Sequence, residues 1–133
     1  AQRSNETLWC AFVDIDAFKT LNDTCGHPQG DRVLVATARA LEQVARTSDV
    51  VARWGGDEFV ILSVGVPPDH LELESRILNV LRPMVSDLAG RWTPGITTGI
   101  ATAIATDASR GAPDVDALID RADAVMYQRR RAR

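Results

Sequence analysis

Long hydrophobic runs are missing from this sequence, and no stretch approaches the roughly 20 apolar residues that a membrane helix needs. Nothing near the amino end has the charged, then apolar, then small-residue pattern of a secretory leader. Membrane contact is therefore not expected. Cysteine is scarce. Cys10 sits in an apolar run and Cys25 in a polar stretch, and neither belongs to a CxxC or Cys/His spacing that would suggest zinc. The pair reads as two free thiols in a reducing compartment, so a cytoplasmic location is expected. Positive charge is short too: 15 Lys and Arg stand against 18 Asp and Glu, a formal net charge of −3. Duplex DNA draws its affinity from Lys and Arg on phosphates, so DNA is a poor candidate partner, although a single nucleotide is not excluded. The dense basic run is Arg129, Arg130, Arg131 and Arg133. There is no internal repeat, linker or low-complexity segment. The chain opens at Ala1, without Met, shortly before the first predicted strand, and is expected to be a piece of a longer protein. What remains is ordinary: 133 residues, 45% hydrophobic and 25% charged, suit one domain with a single core.

Leu8 to Val13 is a continuous apolar run, the pattern of a strand buried on both faces, and it ends in Asp14-Ile15-Asp16. A short helix is expected from Ala17 to Leu21, then a turn-rich stretch from Asn22 to Gly30. From Asp31 to about Ala45, Leu34, Ala38, Leu41 and Ala45 recur at helical spacing, with Asp31 near the positive end of the helix. Val50–Trp54 and Phe59–Leu62 read as strands joined at Gly55-Gly56 in a hairpin, where glycine would supply the positive φ of a tight turn. Leu73, Ile77, Leu81 and Met84 mark a helix bent or ended near Pro83. Gly95 to Ala105 reads as a strand, and a last helix from about Val115 turns Leu118, Ile119, Ala122 and Met126 inward. The order β-α-α-β-β-α-β-α predicts one open sheet with helices packed on it.

Three clusters carry chemistry. A buried strand that ends in carboxylates needs compensation for their charge. At Asp14-Ile15-Asp16 that is a magnesium ion or, on the plainer reading, a helix cap made by Asp16 for Phe18 and Lys19. Ligands of open sheets gather at the carboxyl ends of strands. In Gly55-Gly56-Asp57-Glu58-Phe59 the glycines allow a ligand close to the backbone and two acids follow at once, though a solvated hairpin tip has the same composition. Neighbouring strand residues face opposite ways, so Asp57 and Glu58 are not expected to grip one ion together unless the turn twists them. If the first strand and the hairpin are sheet neighbours, their acids converge as in metal-dependent nucleotidyl transfer. The third cluster is Lys19, Asn22, His27 and Asp31. Lys19 at a helix start suits phosphate, Asn22 and Asp31 offer the donors and acceptors of a guanine edge, and His27 alone reads as a turn histidine.

Taken together these motifs resemble the GGDEF family of diguanylate cyclases, whose name is the pentapeptide Gly55–Phe59. Asp14-Ile15-Asp16-Ala17-Phe18-Lys19 is similar to the family's D-I-D-x-F-K, and Asn22 to Asp31 to its N-D-x-x-G-H-x-x-G-D. Arg53-Trp54 fits its R-(aromatic), Thr97-Thr98-Gly99-Ile100-Ala101 its S-x-G-I-A with Thr for Ser, and Arg121-Ala122-Asp123 with Tyr127 its R-A-D-x-A-x-Y, with Val125 in place of the second Ala. The resemblance covers nearly the whole chain from Leu8. It implies an α+β fold with a central, mostly antiparallel sheet flanked by helices, related to the palm of nucleotide cyclases and polymerases with a ferredoxin-like core. It implies condensation of two GTP into cyclic di-GMP, with release of pyrophosphate, by a homodimer in which each domain presents one nucleotide. Asp14, the Ile15 carbonyl and Asp57 would hold Mg2+, with Mn2+ as the alternative. Asp57 would help activate the 3′-hydroxyl, Glu58 would be a second acid, and Lys19 would neutralise phosphate charge. Asn22 and Asp31 would read guanine beside His27, with Phe18, Gly55, Gly56 and Arg130 completing the substrate site.

The same resemblance gives Arg46-Thr47-Ser48-Asp49 as an R-x-x-D inhibitory site for the product, separated from Gly55 by the five-residue spacer Val50 to Trp54. Arginine suits phosphate and guanine, although R-x-x-D taken alone is usually a surface pair. The chain departs from the family in three places. No D-x-L-T-G-L-x-N-R segment precedes the first strand, Arg130 stands where a phosphate-facing Lys is usual, and no closing Gly-Arg follows. The Arg run also fits a solvated helix end, with cations at the negative pole. An upstream sensory domain is an expected partner. The alternative function is a silent module that binds GTP or cyclic di-GMP as a sensor, and a purely structural partner domain is a third reading.

Overall fold

The computed structural model describes residues 7–104 and 114–132, so Ala105 and Arg133 of the expectations above lie outside the described residues. Strand β1 (Thr7–Ile15) leads to helices α1 (Phe18–Cys25) and α2 (His27–Val44), then to β2 (Val50–Arg53) and β3 (Glu58–Val64). Helix α3 (His70–Met84), a 3-10 turn (Ser86–Leu88), β4 (Ile96–Ile104) and α4 (Val115–Arg131) complete the order. The four strands form one sheet in the order β2-β3-β1-β4, and every pairing is antiparallel. This is the expected α+β architecture with a ferredoxin-like core.

β1 is central, and its continuous apolar run follows from burial on both faces. Trp9, Ala11, Val13 and Ile15 point to one side, where α1, α2 and α3 contribute Leu21, Val33, Leu41, Leu73, Ile77 and Leu81. Cys10 and Phe12 point to the other, against Leu118, Ile119, Ala122 and Met126 of α4. Asp14 therefore falls on the α4 face by simple alternation. α4 lies unusually close to β4. A Cβ built on Gly99 would stand 2.2 Å from the Ala122 carbonyl oxygen and 2.2 Å from the Met126 nitrogen, so only glycine fits.

The structure corrects three local expectations. Asn22–Gly30 is not a turn-rich stretch: α1 runs on to Cys25, Gly26 alone breaks it at φ 90°, and α2 starts at His27. Pro28 occupies the first turn of α2, where its missing N–H costs nothing. Asp31 consequently lies past the first turn rather than at the helix's positive end. The hairpin also differs. Neither Gly55 nor Gly56 has positive φ, and the connection runs from Trp54 to Asp57, closed by Trp54 and Gly55 N–H donating to the Glu58 carbonyl. A Cβ at Gly55 would lie 2.3 Å from Glu58 Oε1, so a larger residue there would push the Glu58 carboxylate aside. Finally, Asp16 does not cap α1. The cap position is Ala17, at φ 55°, a left-handed conformation that is strained for a residue with a Cβ.

Candidate active site

The carboxyl end of β1 and the β2–β3 turn meet because β1 pairs with β3 in a register that sets Asp14 opposite Glu58. On its other side Asp14 is opposite Thr97 of β4. The Ile15 N–H donates to the Asp57 carbonyl at 3.4 Å, so the turn lies directly against the strand end. Arg53 holds that turn in shape, its Nε and Nη2 donating to the Gly55 and Gly56 carbonyls at 3.1 and 2.7 Å. A side chain at Gly56 would meet nothing within 4 Å, which leaves the turn backbone open to a ligand.

Asp14 is 3% exposed. Burial pushes its carboxyl pKa up to about 7, and repulsion from Asp57 pushes the same way, while Arg130 opposes both. Arg130 Nη1 donates to Asp14 Oδ2 at 2.6 Å, and its Nη2 reaches the Ile15 carbonyl at 3.3 Å and Asp16 Oδ1 at 3.4 Å. The second Asp14 oxygen, Oδ1, is buried with no hydrogen-bond partner. Such an orphaned acceptor is rare in folded proteins, and it points to a ligand. Glu58 also has a raised pKa, from burial first and then from Asp123 and Asp57. Asp16 accepts from the Thr97 hydroxyl at 2.6 Å.

These oxygens fit a hard divalent cation: carboxylates of Asp14 and Asp57, the Ile15 carbonyl, and an acceptor left over on Asp14. Among the described residues no three His, Cys, Asp or Glu side chains form a complete metal cage. Two carboxylates and a carbonyl suit magnesium, which keeps waters and takes further oxygens from substrate phosphates.

The remaining predicted residues group less tightly. Lys19 is exposed on the first turn of α1 and lies 3.6 Å from Asp23. Asn22 and half-buried Phe18 pack against Gly30 of α2, where a Cβ would collide with Asn22 Oδ1. His27 and Asp31 are exposed on α2. Asp31 lines a cavity of about 370 Å³ between α2 and β2, walled by Leu34, Val35, Val51 and Phe59. Arg46 and Asp49 are tied with Ser63 into a hydrogen-bonded knot at the surface. Arg46 Nη2 donates to Ser63 Oγ at 2.6 Å and to the Val64 carbonyl at 2.7 Å, and Ser63 Oγ donates to Asp49 Oδ1. The Asp49 side chain is 5% exposed against 63% for Arg46.

The solvated-end reading of the Arg run fails for two of its members. Arg129 donates to Glu74 of α3 and, at 2.6 Å, to the Thr98 carbonyl of β4, while Arg130 grips the site. Glu74 also accepts from Thr98 N–H at 2.8 Å and Thr98 Oγ1 at 2.9 Å, so one buried carboxylate ties α3, β4 and α4 together. Glu74 and Ser63 were not singled out from sequence, and Thr98 and Arg129 were named only within a strand motif and a basic run. Two signals were available: Glu74 sits three residues before Ile77 in the inward stripe of α3, and Arg129 and Arg130 follow Met126 by three and four positions.

An antiparallel sheet in this order, with carboxylates meeting at the mouth of its central strand, defines an α+β domain of the palm class. The sequence pattern described as diguanylate cyclase, GGDEF domain, matches residues 1–133. The chain belongs to that family. It is 37% identical over 117 residues to the diguanylate cyclase DgcM of Escherichia coli, covering 88% of this chain and 27% of DgcM. It is 35% identical over 130 residues to DgcP of Pseudomonas aeruginosa, covering 98% of this chain and 19% of DgcP. The chain thus spans about a quarter or less of the curated relatives it matches. Among solved structures, the GGDEF domain of YfiN from P. aeruginosa superposes with TM-score 0.68 at 34% identity, covering 96% of this chain and 78% of that one. The GGDEF domain of DgcB from Caulobacter crescentus, in complex with c-di-GMP, does so with TM-score 0.68 at 25% identity, covering 96% and 74%.

Proposed function

We propose that this domain condenses two GTP molecules into cyclic di-GMP. The observation that carries the reading is the approach of the β2–β3 turn to the end of β1, which brings Asp57 beside Asp14, a buried carboxylate with one oxygen left without a donor. In the reaction the 3′-hydroxyl of each nucleotide attacks the α-phosphorus of the other. Two phosphodiester bonds form, two α–β phosphoanhydride bonds break, two pyrophosphates leave, and the hydroxyl protons pass to base. Magnesium bound at this site would lower the pKa of the attacking hydroxyl and neutralise phosphate charge, with Mn2+ as a substitute. Asp14, Asp57 and the Ile15 carbonyl would hold it, and Asp57 would lie nearest the hydroxyl. Glu58, its proton held more tightly than usual, stands beside Asp57 as a second acid. Lys19 and Arg130 would take phosphate oxygens. Asn22 and Asp31 would read the guanine edge, with His27 and Phe18 shaping that side and the open Gly55-Gly56 backbone receiving the nucleotide.

One domain offers one such site, so two copies must face each other, and positioning two bound nucleotides in line supplies much of the rate. A sensory domain upstream in the longer protein would control that pairing. The Arg46–Asp49 knot would bind the product as an inhibitor, Arg46 exchanging Ser63 and Val64 for phosphate or guanine. Incubation with GTP and Mg2+ followed by chromatography tests the reading. Parent protein yields cyclic di-GMP, Asp57→Ala turns over at less than about 1% of the parent rate, and added product slows the parent but not Arg46→Ala. Nucleotide binding without product in the parent dimer would instead establish the silent sensor.

A further inference from the structure

The cation that this chain itself places on the candidate metal ligands is Arg130. Its guanidinium donates to Asp14 Oδ2 and to the Ile15 carbonyl, two of the three groups assigned to the metal, and also approaches Asp16. Its attachment is rigid. The preceding Arg129 is bonded to Glu74 and to the Thr98 carbonyl, and α4 is pressed against Gly99, so the helix end cannot drift from the sheet. The Arg130 side chain remains 38% exposed, with room to swing outward.

We infer that Arg130 is a resident counter-cation that excludes the divalent ion from the nucleotide-free domain and yields its place only when a triphosphate draws it away. The inference rests on the functional reading above and adds an order to it. A guanidinium and a divalent ion repel at contact distance and compete for the same lone pairs. A lysine could relieve the conflict by losing its proton, but an arginine cannot deprotonate in a protein. Its planar fork also covers the carboxylate and the carbonyl together, as one ammonium point charge does less well. Relief must come from another anion, and the phosphates of a nucleotide are the chemistry a guanidinium prefers. Metal and nucleotide then bind with positive coupling, and by linkage each strengthens the other by the same factor. A metal ion entering alone would have to displace Arg130 with nothing to receive it.

Mn2+ titration followed by electron paramagnetic resonance tests this without any turnover. The titrations use the parent, Arg130→Gln, Arg130→Lys and the double variant Arg130→Gln/Asp14→Asn, with circular dichroism as the check that each is folded. Without nucleotide, Arg130→Gln should bind Mn2+ at least tenfold more tightly than the parent, Arg130→Lys should fall between them, and Asp14→Asn should erase the gain. With guanosine 5′-(α,β-methylene)triphosphate, which cannot be cleaved at the α–β bond, the parent should gain at least tenfold in Mn2+ affinity and Arg130→Gln should gain less. Equal, Asp14-dependent Mn2+ affinity in parent and Arg130→Gln without nucleotide would overturn the exclusion while leaving the metal site intact. Absence of any Asp14-dependent Mn2+ binding, with the analogue present, would overturn the metal site and the functional reading with it.

Discussion

Asp14 keeps one carboxylate oxygen on Arg130 and leaves the other without a donor, at 3% exposure at the carboxyl end of the central strand. Stability alone would select an apolar residue there, because a buried, half-satisfied charge costs several kcal/mol at the order-of-magnitude level. The proposed cation would offset that cost by taking up the spare oxygen. His70 is the contrasting case of a titratable group used for structure. Its Nε2 accepts from the Ile100 N–H at 3.2 Å, which requires the neutral ring. Burial lowers its pKa first and Arg129 adds to this, while Glu74 and Asp69 pull the other way, and the net shift is downward. The native state therefore binds fewer protons than the unfolded chain just below pH 6.5. The contribution is complete above the unfolded pKa and is lost as pH falls from there through the folded value. Urea denaturation of parent and His70→Gln at pH 7.5 and pH 5 separates this contribution from that of Asp14, whose raised pKa acts in the opposite sense: acidification should shift the stability difference in favour of the variant, since the amide oxygen can accept from Ile100 without titrating. An unchanged pH dependence in the variant would remove His70 from the account.

At the scale of elements, the contact between α4 and β4 decides where the Arg130 end of α4 points. Gly99→Ala must push the helix backbone outward, because the Ala122 carbonyl and Met126 nitrogen have no side-chain slack to give. We expect a loss of about 3 kcal/mol or more in chemical denaturation, together with impaired turnover as Arg130 shifts from Asp14. Normal stability in that variant would mean the helix can relax away from the sheet. The same contact marks how far the sequence could be read. Every strand was legible, because Leu8–Val13 and Phe59–Leu62 are short apolar runs buried on two faces and α4 announced its inward stripe. Asn22–Gly30 was not, because Gly26, Pro28 and Gly30 carry turn signals although only Gly26 breaks a helix. Pro28 is harmless in a first turn, and Gly30 is there to admit Asn22. The convergence of Asp14 and Asp57 was legible once the two strands were taken as neighbours. The Glu74–Thr98–Arg129 tie was legible only in part: helical spacing sets Glu74 and Arg129 on inward faces, but their meeting across an edge strand depends on a tertiary approach.

At the scale of the molecule, the site belongs to no single segment. Asp14 comes from β1, Asp57 from the β2–β3 turn and Arg130 from the end of α4, 116 positions beyond Asp14. The net charge of −3 says nothing of this local arrangement, in which a half-exposed guanidinium faces a cluster of acids. The all-antiparallel order β2-β3-β1-β4 is what makes the meeting possible, by setting the hairpin turn beside the carboxyl end of the central strand. If Asp14 and Asp57 serve one ion, removing either removes the ion, and removing both removes nothing more. The decisive measurement is the rate of cyclic di-GMP formation by the parent, Asp14→Asn, Asp57→Asn and the double variant at saturating Mg2+ and GTP. The account predicts that each single substitution lowers turnover about 100-fold or more and that the double variant falls within about threefold of the worse single. Losses that multiply in the double variant would mean that the two carboxylates act independently, and the shared metal site would have to be abandoned.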